Sequence, residues 1–316
     1  MAVIEVEGLR KEYRRFRKGR TVALDGLDLT VPEGGVFGFL GPNGAGKTTT
    51  IRCLLGLIAP SSGSCTILGA TPPRGLPGAI PKIGAIVETP AMFPGYSGRK
   101  NLELLGATYG IGRRSVEEVL GVVGLSDRGG DRVKTYSLGM KQRLGIGAAL
   151  LKDPELLILD EPANGLDPAG IKEVRELVRR LGHEGRTVFV SSHILPEVKQ
   201  MCDRVAILAR GRCVASGPVD EVLSRDRATG LLVRVEDHPR AISVLRAAGI
   251  ASEVRGDGLS VNVPASDGAR VTQALAESGI YLSEMRSEEV DLETVFLKLT
   301  TDEPHLDDPL ASGEKG

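Results

Sequence analysis

In VFGFLGPNGAGKTT, residues 36–49, an apolar run leads into a glycine-rich segment that ends in Lys and Thr. Residues 41–48 match the pattern G-x-x-x-x-G-K-[ST], with a strand predicted before the pattern and a helix after it. The glycines let backbone N–H groups turn inward around a phosphate, and the helix N-terminus adds a partial positive charge. The sequence therefore predicts a phosphate-binding loop in an α/β fold.

Lys47 and Thr48 end this loop and carry its chemistry. The ammonium group of Lys47 is expected to contact terminal phosphates, and the Thr48 hydroxyl to bind Mg²⁺. The other candidate nucleotide-binding residues of the loop are Asn43, Gly44, Ala45, Gly46 and Thr49. An ordinary glycine-rich turn is the weaker interpretation, because the flanking strand and helix are those that the motif requires.

A pair of acids follows a second buried strand. In LLILDEP, residues 156–162, a nearly unbroken apolar run is followed by Asp160 and Glu161. In open α/β sheets, ligands bind beyond the carboxyl ends of strands. We expect Asp160 to hold Mg²⁺ through water and Glu161 to polarise the water that attacks the γ-phosphate. Two acids at a strand end are weak evidence alone, and the phosphate loop strengthens the interpretation.

Composition limits the function classes. The formal net charge is -1, aromatic residues make up 3% of the chain and Trp is absent, so nucleic-acid binding is not expected. The four cysteines form no C-x-x-C pair, which favours reduced thiols. The sequence has no apolar run of the ~18 residues that would span a bilayer, which predicts a soluble, cytoplasmic chain.

The 316 residues predict one large domain and a smaller one. Residues 1–225 alternate strands and helices, with a helical subdomain over about 89–152 and a Ser115–Glu118 capping box starting one of its helices. Residues 229–300 read β-α-β-β-α-β, with DGL at the hairpin, which indicates a small ferredoxin-like α+β domain. The polar segment 301–316 is expected to be a disordered tail.

Four motifs together resemble the ATP-binding cassette family, the engine subunits of ABC transporters. They are GPNGAGKTT (41–49), YSLGMKQRL (136–144), LLILDEPANGLDP (156–168) and SSHI (191–194), and the resemblance covers residues 1–225. It implies a P-loop nucleotide-binding domain with a parallel-sheet core, an antiparallel β subdomain and an inserted helical subdomain. It also implies ATP and Mg²⁺ as ligands, ATP hydrolysis, and a head-to-tail dimer of cassettes.

The same resemblance assigns residues that the loop does not contain. In such a dimer, Ser137 and Gly139 would contact the γ-phosphate held by the other subunit, within a signature that also contains Leu138, Met140 and Gln142. Usual signatures have two adjacent glycines, whereas Leu138 and Met140 flank a single glycine here. A serine cap at a helix N-terminus is a suitable anion site.

His193 matches the family's switch histidine, which would contact the γ-phosphate and hold Glu161 in place. Asp167 matches the loop that links the two sites across the dimer, and it is also a suitable N-cap before Pro168. Tyr13 matches the aromatic residue that stacks on adenine, with Phe16 as a possible substitute. Seven of the eleven residues 10–20 are Lys or Arg, which we interpret as a solvated basic loop beside the triphosphate.

Glu88 stands where most cassettes have a glutamine that reaches Mg²⁺ and the attacking water. A carboxylate can still bind Mg²⁺, but it cannot donate an N–H. The hypothesis is that Glu88 binds the metal and couples nucleotide state to transport, with the following loop PAMFPGYSGR in the groove for a permease helix. A solvated loop acid is the alternative interpretation.

The resemblance implies an ATPase that works with a second copy of the cassette and an integral membrane permease on the cytoplasmic face of the membrane. Glu88, the signature and a C-terminal domain ending LETVFLKL resemble exporters of the bacitracin, lantibiotic and anthracycline type. A soluble ABC ATPase acting on ribosomes or nucleic acid is the alternative, although neither a second cassette nor a long coiled coil is present. A catalytically dead regulator ranks last, because the expected catalytic residues are all present.

Overall fold

A computed structural model of the protein describes residues 1–15, 19–88, 92–224 and 230–288. The predicted tail at 301–316 and the possible role of Phe16 lie outside the described residues. The chain divides into two compact units between Val222 and Leu223, and each unit is described by itself.

Strands and helices alternate through the first unit. Its strands are β1 (Ala2–Arg15), β2 (Gly19–Pro32), β3 (Gly35–Leu40), β4 (Ser62–Ile67), β5 (Ile83–Ile86), β6 (Leu156–Leu159), β7 (Thr187–Ser192), β8 (Arg204–Ala209) and β9 (Arg212–Pro218). Its helices are α1 (Lys47–Leu54), α2 (Leu76–Ala79), α3 (Gly98–Ala107), α4 (Arg113–Val122), α5 (Leu138–Leu150), α6 (Pro168–His183) and α7 (Leu195–Met201), followed by α8 (Val219–Ser224) at the division.

A six-stranded sheet lies at the centre of the first unit, with the strand order β5-β6-β7-β3-β8-β9. Its strands are parallel except for β9, which pairs antiparallel with β8. A separate antiparallel sheet has the order β2-β1-β4. The predicted fold class, a parallel-sheet core with an antiparallel β subdomain, is confirmed.

Alternating side chains of the parallel strands fill an apolar layer on each face of the central sheet. On one face, Phe37, Ile158 and Phe189 pack in a cluster with residues of α1 and of the antiparallel sheet. On the other face, the neighbouring side chains, such as Leu157 and Val188, pack with residues of α4, α5 and α6. Strands buried on both faces explain why β6 and β7 read as nearly continuous apolar runs.

The second unit has the predicted β-α-β-β-α-β order. Its elements are β10 (Gly230–Arg234), α9 (His238–Ala247), β11 (Ser252–Arg255), β12 (Gly258–Val261), α10 (Gly268–Glu277) and β13 (Glu284–Glu288). The strand order β11-β12-β10-β13, with every pair antiparallel, is that of a ferredoxin-like sheet. The hairpin turn is Gly256–Asp257, one residue earlier than DGL, because Arg255 pairs with Gly258.

Helix starts agree with the sequence prediction at Ser137 and Asp167, where a side chain caps the helix, but not at Ser115. Ser137 and Asp167 cap α5 and α6, each accepting a backbone N–H of the first turn. The predicted capping box at Ser115 is wrong, because α4 starts at Arg113 after an extended Gly112 and contains Ser115 in its first turn. The Arg114–Glu118 pair, four residues apart, supports the earlier start.

The helix that follows the phosphate loop ends in a glycine turn. α1 ends at Leu54, and Gly56 takes a left-handed φ of 63°. The Gly56 N–H donates to Cys53 O at 3.0 Å, while the Leu57 N–H donates to Arg52 O at 2.8 Å. These two bonds are those of a Schellman motif, which terminates helices at glycine.

The basic segment near the N-terminus is not a loop in its described part. Residues up to Arg15 continue β1, and residues from Gly19 onward form β2, with Tyr13 opposite Thr21. Arg10 pairs with Asp25 and Glu12, so its charge is compensated. Among the described residues, no helix is long and apolar enough to cross a membrane.

Phe189 should be a major contributor to the stability of the first unit. Its side chain is 0% exposed, and its ring centroid lies 5.9 Å from that of Phe37 and 5.3 Å from that of Phe39. We expect Phe189→Ala to lower the free energy of unfolding by about 3–5 kcal/mol, because it leaves a cavity at the sheet. Phe93→Ala is the matched control, since that side chain is 59% exposed. Equal urea midpoints for the two variants would contradict the assignment.

Candidate functional site

Three neighbouring strands of the parallel sheet, β6, β7 and β3, end at one edge of the sheet. Residues 41–48 follow β3, Asp160 and Glu161 follow β6, and His193 follows β7. The Gly41 N–H donates to Ser192 O at 3.2 Å, which joins the start of the loop to the end of β7. The strand order therefore brings three of the four sequence motifs together.

The backbone of the phosphate loop depends on Gly46. This residue precedes α1 with a φ of 111°, and a Cβ added to it would lie 2.6 Å from Ala23 O. Glycine is therefore required both by conformation and by space. Within the described chain, the N–H groups of residues 46–49 donate to no acceptor. A row of free donors at a helix N-terminus fits an anion such as phosphate.

Lys47 is buried, with 6% of its side chain exposed. Its Nζ donates to Gly41 O at 2.6 Å and to Pro42 O at 3.2 Å, and it lies 3.1 Å from Glu161 Oε1. Buried charges require such compensation. The ammonium group thus lies inside the loop, between the N–H donors and the acidic pair.

Asp160 is also buried and accepts two hydroxyl hydrogen bonds. Thr48 Oγ1 donates to Oδ2 at 2.8 Å, and Ser191 Oγ donates to Oδ1 at 2.5 Å. A carboxylate and a hydroxyl beside a phosphate site are hard oxygen ligands, which Mg²⁺ prefers. The donor set at Thr48 and Asp160 therefore fits Mg²⁺.

Glu161 and His193 are in direct contact. Glu161 Oε2 lies 2.8 Å from His193 Nδ1, while Glu161 Oε1 faces Lys47. Glu161 has a φ of 49°, an unusual conformation for a residue with a side chain, and its N–H donates to Ser191 Oγ at 2.9 Å. Strained backbone of this kind is concentrated at functional sites.

Ser191 has a structural role that the sequence reasoning missed. Its buried hydroxyl contacts both acids of the pair, accepting from the Glu161 N–H and donating to Asp160. The hydroxyl therefore fixes the strained turn that carries the two carboxylates. The SSHI motif, residues 191–194, contains this serine, but only its histidine was assigned a function from the sequence.

The signature residues lie apart from the phosphate loop in this chain. Ser137 caps α5 by accepting the Met140 N–H at 3.2 Å, and Leu138 is exposed. A Cβ added to Gly139 would lie 3.5 Å from the Cα of Gly170 in α6. Gln142 is partly exposed. Within the described chain, no hydrogen bond or ion pair joins residues 137–142 to residues 41–49.

Asp167 is placed beside this signature. Its Oδ1 accepts the Gly170 N–H at 3.2 Å and so caps α6. Leu138 Cδ2 lies 3.6 Å from the position that a Cβ of Gly165 would take. The loop before α6 and the signature at the start of α5 therefore form one continuous surface.

Tyr13 is partly buried on β1, with the Lys11 ammonium 5.3 Å from its ring centroid. The segment also contributes a charge cluster around Asp25, which pairs with Arg212 and Arg10. The hydrogen bond from Arg212 is the largest of the effects that lower the pKa of Asp25. These contacts join the middle of the β1–β2 hairpin to β9.

The side chain of Glu88 pairs with a residue of α1 rather than with Thr48 or Asp160. Its side chain is 67% exposed and forms an ion pair with Arg52 of α1, and its φ is 70°. Within the described residues, no hydrogen bond or ion pair links it to Thr48 or Asp160. It is instead connected to the helix that begins at the phosphate loop.

Comparisons with known proteins agree with these motifs. A family model described as ABC transporter matches residues 24–164. A bacitracin transport ATP-binding protein of Bacillus licheniformis is 40% identical over 302 residues, which cover 94% of this chain and 97% of the relative. A daunorubicin resistance ATP-binding protein of Streptomyces coeruleorubidus is 36% identical over 311 residues, covering 95% and 96% respectively.

A solved structure has the same fold. It is cbiO1 from Clostridium perfringens, part of the ABC transporter complex cbiONQ, with a TM-score of 0.62 and 28% sequence identity over 71% of this chain and 91% of that one. The relatives match nearly the whole chain, and in the site Glu161 of the acidic pair contacts both Lys47 of the glycine-rich loop and His193. The chain therefore belongs to the ABC transporter family, as an ATP-binding subunit whose ATPase activity drives a membrane permease.

Proposed function

We propose that this ATPase powers an exporter, on the cytoplasmic face of the membrane, through a separate permease subunit. The observation that supports export is the similarity, over nearly the whole chain, to ATP-binding proteins of bacitracin transport and daunorubicin resistance. The cargo would be chosen by the permease. The alternative, a soluble ABC ATPase acting on ribosomes or nucleic acid, is not favoured by any of these relatives.

Residues 43–49 are proposed to bind the phosphates of ATP. The free N–H groups of residues 46–49 would donate to phosphate oxygens, and Lys47 would exchange its contact with Glu161 for the terminal phosphates. Tyr13 would stack on the adenine, as the family resemblance implies. Thr48 and Asp160 would hold Mg²⁺, with Glu88 as a further ligand once it leaves Arg52.

Glu161 is proposed to act as the general base. ATP would supply the γ-phosphoryl group, and the Mg²⁺ held by Thr48 and Asp160 would supply positive charge beside it. Glu161 would accept the proton of the attacking water, since its carboxylate lies between Lys47 and His193. His193 would orient that carboxylate and contact the γ-phosphate. The Ser191 hydroxyl keeps the turn at Glu161 in place.

A second copy of the chain is proposed to complete each site. Ser137 and Gly139 lie at the start of α5, where a helix N-terminus and a serine cap suit an anion. They would contact the γ-phosphate bound by the other copy, together with Leu138, Met140 and Gln142. Asp167, on the same surface, would link the two sites.

The segment after Glu88 is proposed to receive a permease helix. Phe93 and Tyr96 are exposed, with ring centroids 5.7 Å apart. Buried Asn101 holds this loop from below, because its side chain accepts the Phe93 N–H at 2.7 Å and donates to Phe93 O at 3.1 Å. A rigidly held aromatic pair is a suitable docking surface.

We also propose residues 89–152 as the helical subdomain and residues 229–300 as a separate domain.

Glu161→Gln should abolish most ATP hydrolysis while leaving ATP binding intact. We expect phosphate release to fall by roughly 10²–10⁴-fold, because the base is lost while the phosphate contacts remain. The variant should accumulate as an ATP-bound dimer on size-exclusion chromatography. Glu184→Gln is the matched control, since that exposed residue pairs with Arg186 beyond the end of α6. Near-normal turnover in Glu161→Gln would falsify the role of Glu161.

Glu88→Gln should leave ATP binding intact and change ATP turnover or transport. The lost ion pair with Arg52 is exposed, so its contribution to stability is at most about 1 kcal/mol. Glu155→Gln is the control, because Glu155 is an exposed acid near a strand end that pairs with Lys82. Turnover and vesicle transport that both equal those of the control would contradict a coupling role.

The permease is tested by purification of the tagged chain from gently solubilised membranes of its native cell. We expect an integral membrane protein in fixed ratio to the chain, because the ATPase has no described helix that could cross the bilayer. Recovery with ribosomes or nucleic acid from the soluble fraction would favour the alternative function instead.

A further inference from the structure

The hydroxyl of Ser192 closes the turn that carries His193. Ser192 ends β7 and is buried. Its Oγ accepts the Ile194 N–H at 3.0 Å, across His193, and donates to Glu197 Oε2 at 3.2 Å. One hydroxyl therefore links both sides of the histidine turn to a carboxylate on α7.

Helix α7 holds that carboxylate in place. Leu195 and Val198, on either side of Glu197, are buried. The helix lies so close to β3 that a Cβ added to Gly38 would be 2.9 Å from Val198 Cγ1. Glu197 is therefore anchored to the same sheet that carries the phosphate loop.

The second oxygen of Glu197 is costly for the fold. Oε1 is buried and has no hydrogen-bond partner in the described part of the chain. An unpaired buried acceptor destabilises the folded state. Burial raises the pKa of Glu197, and the hydrogen bond from Ser192 and the charge of His193 oppose that shift. The nearby charge of Glu161 also raises the pKa of Glu197, whereas the charge of Arg175 on α6 lowers it.

We propose that Glu197 is a positioning residue that acts through Ser192 to hold His193 against Glu161. The proposal rests on the catalytic roles given above to Glu161 and His193. Glu197 itself touches neither of their side chains by a hydrogen bond, and its effect passes through the turn.

The hydrogen-bond directions explain how this works. By accepting the hydrogen bond of the Ser192 O–H, Glu197 orients this hydroxyl so that an oxygen lone pair faces the Ile194 N–H. The turn 192–194 then stays closed, and the imidazole stays 2.8 Å from Glu161. Without Glu197, Ser192 can donate its proton elsewhere, and the turn loses this constraint.

The test compares Glu197→Ala with Glu197→Gln in the full chain. We expect Glu197→Ala to lower kcat for ATP hydrolysis by about 10- to 100-fold, the effect of a displaced catalytic group. KM for ATP should stay within about twofold, because the phosphate loop is unchanged. Glu197→Gln keeps an oxygen acceptor for Ser192 and should retain most of kcat. Glu176→Ala on exposed α6 surface is the control.

A double-mutant cycle separates positioning from general damage. Ser192→Ala should cause the same loss of kcat as Glu197→Ala, and the double variant should lose no more than either single one, since both break one connection. In the nucleotide-free protein, the imidazole NMR signal of His193 should be perturbed in both single variants and unchanged in Glu176→Ala. Its assignment follows from its absence in His193→Ala.

Normal kcat in Glu197→Ala, additive losses in the cycle, or an equal loss of ATP binding would each overturn the inference. If Glu197→Ala does not fold, Glu197→Gln and Ser192→Ala decide the question, because the first must keep kcat and the second must lose it. Normal kcat in Glu197→Ala with an inactive Glu161→Gln refutes this inference alone. Active Glu161→Gln refutes the proposed function beneath it.

Discussion

The site depends on the compensation of one buried positive charge, the ammonium group of Lys47. A charged group removed from water is costly unless it is paired and hydrogen-bonded. Its partners are the Gly41 and Pro42 carbonyl groups and the Glu161 carboxylate. The first two come from the phosphate loop, whereas Glu161 follows β6, which is separated from β3 by β7 in the sheet. The strand order of the sheet and the chemistry of the site are therefore linked.

The Glu161 carboxylate, which pairs with Lys47, is positioned by an unusual backbone conformation. Glu161 adopts a left-handed φ of 49°, which a residue with a side chain adopts only where its surroundings impose it. Here the Ser191 hydroxyl receives its N–H, and the same hydroxyl donates to Asp160. The neighbouring Ser192 binds the turn that carries His193. Two consecutive serines at the end of β7 thus position Glu161, Asp160 and His193.

The sequence predicted an element correctly where its local signal agrees with the contacts that the folded chain makes. Asp167 before Pro168 and Ser137 before α5 are helix caps that work by themselves, and the structure has both. Ser115 carried the same local signal, but the N-cap of α4 is Gly112, three residues earlier. The basic segment at 10–20 was interpreted as a loop from its charge, although pairing with β2 extends its described part as a strand. A run of charged residues does not show whether its backbone pairs with a neighbouring strand.

The phosphate loop, the acidic pair, the histidine and the family could all be predicted from the residues alone, because each motif requires particular residue types at fixed local spacing. It also determined the parallel-sheet fold, since apolar runs alternating with helices allow few other arrangements. The contacts between side chains became known only from the folded chain: Glu161 with Lys47 and His193, Ser191 with Asp160, Glu197 with Ser192, and Glu88 with Arg52. Those contacts join residues on different strands and helices, so their formation depends on strand order, register and burial rather than on local sequence.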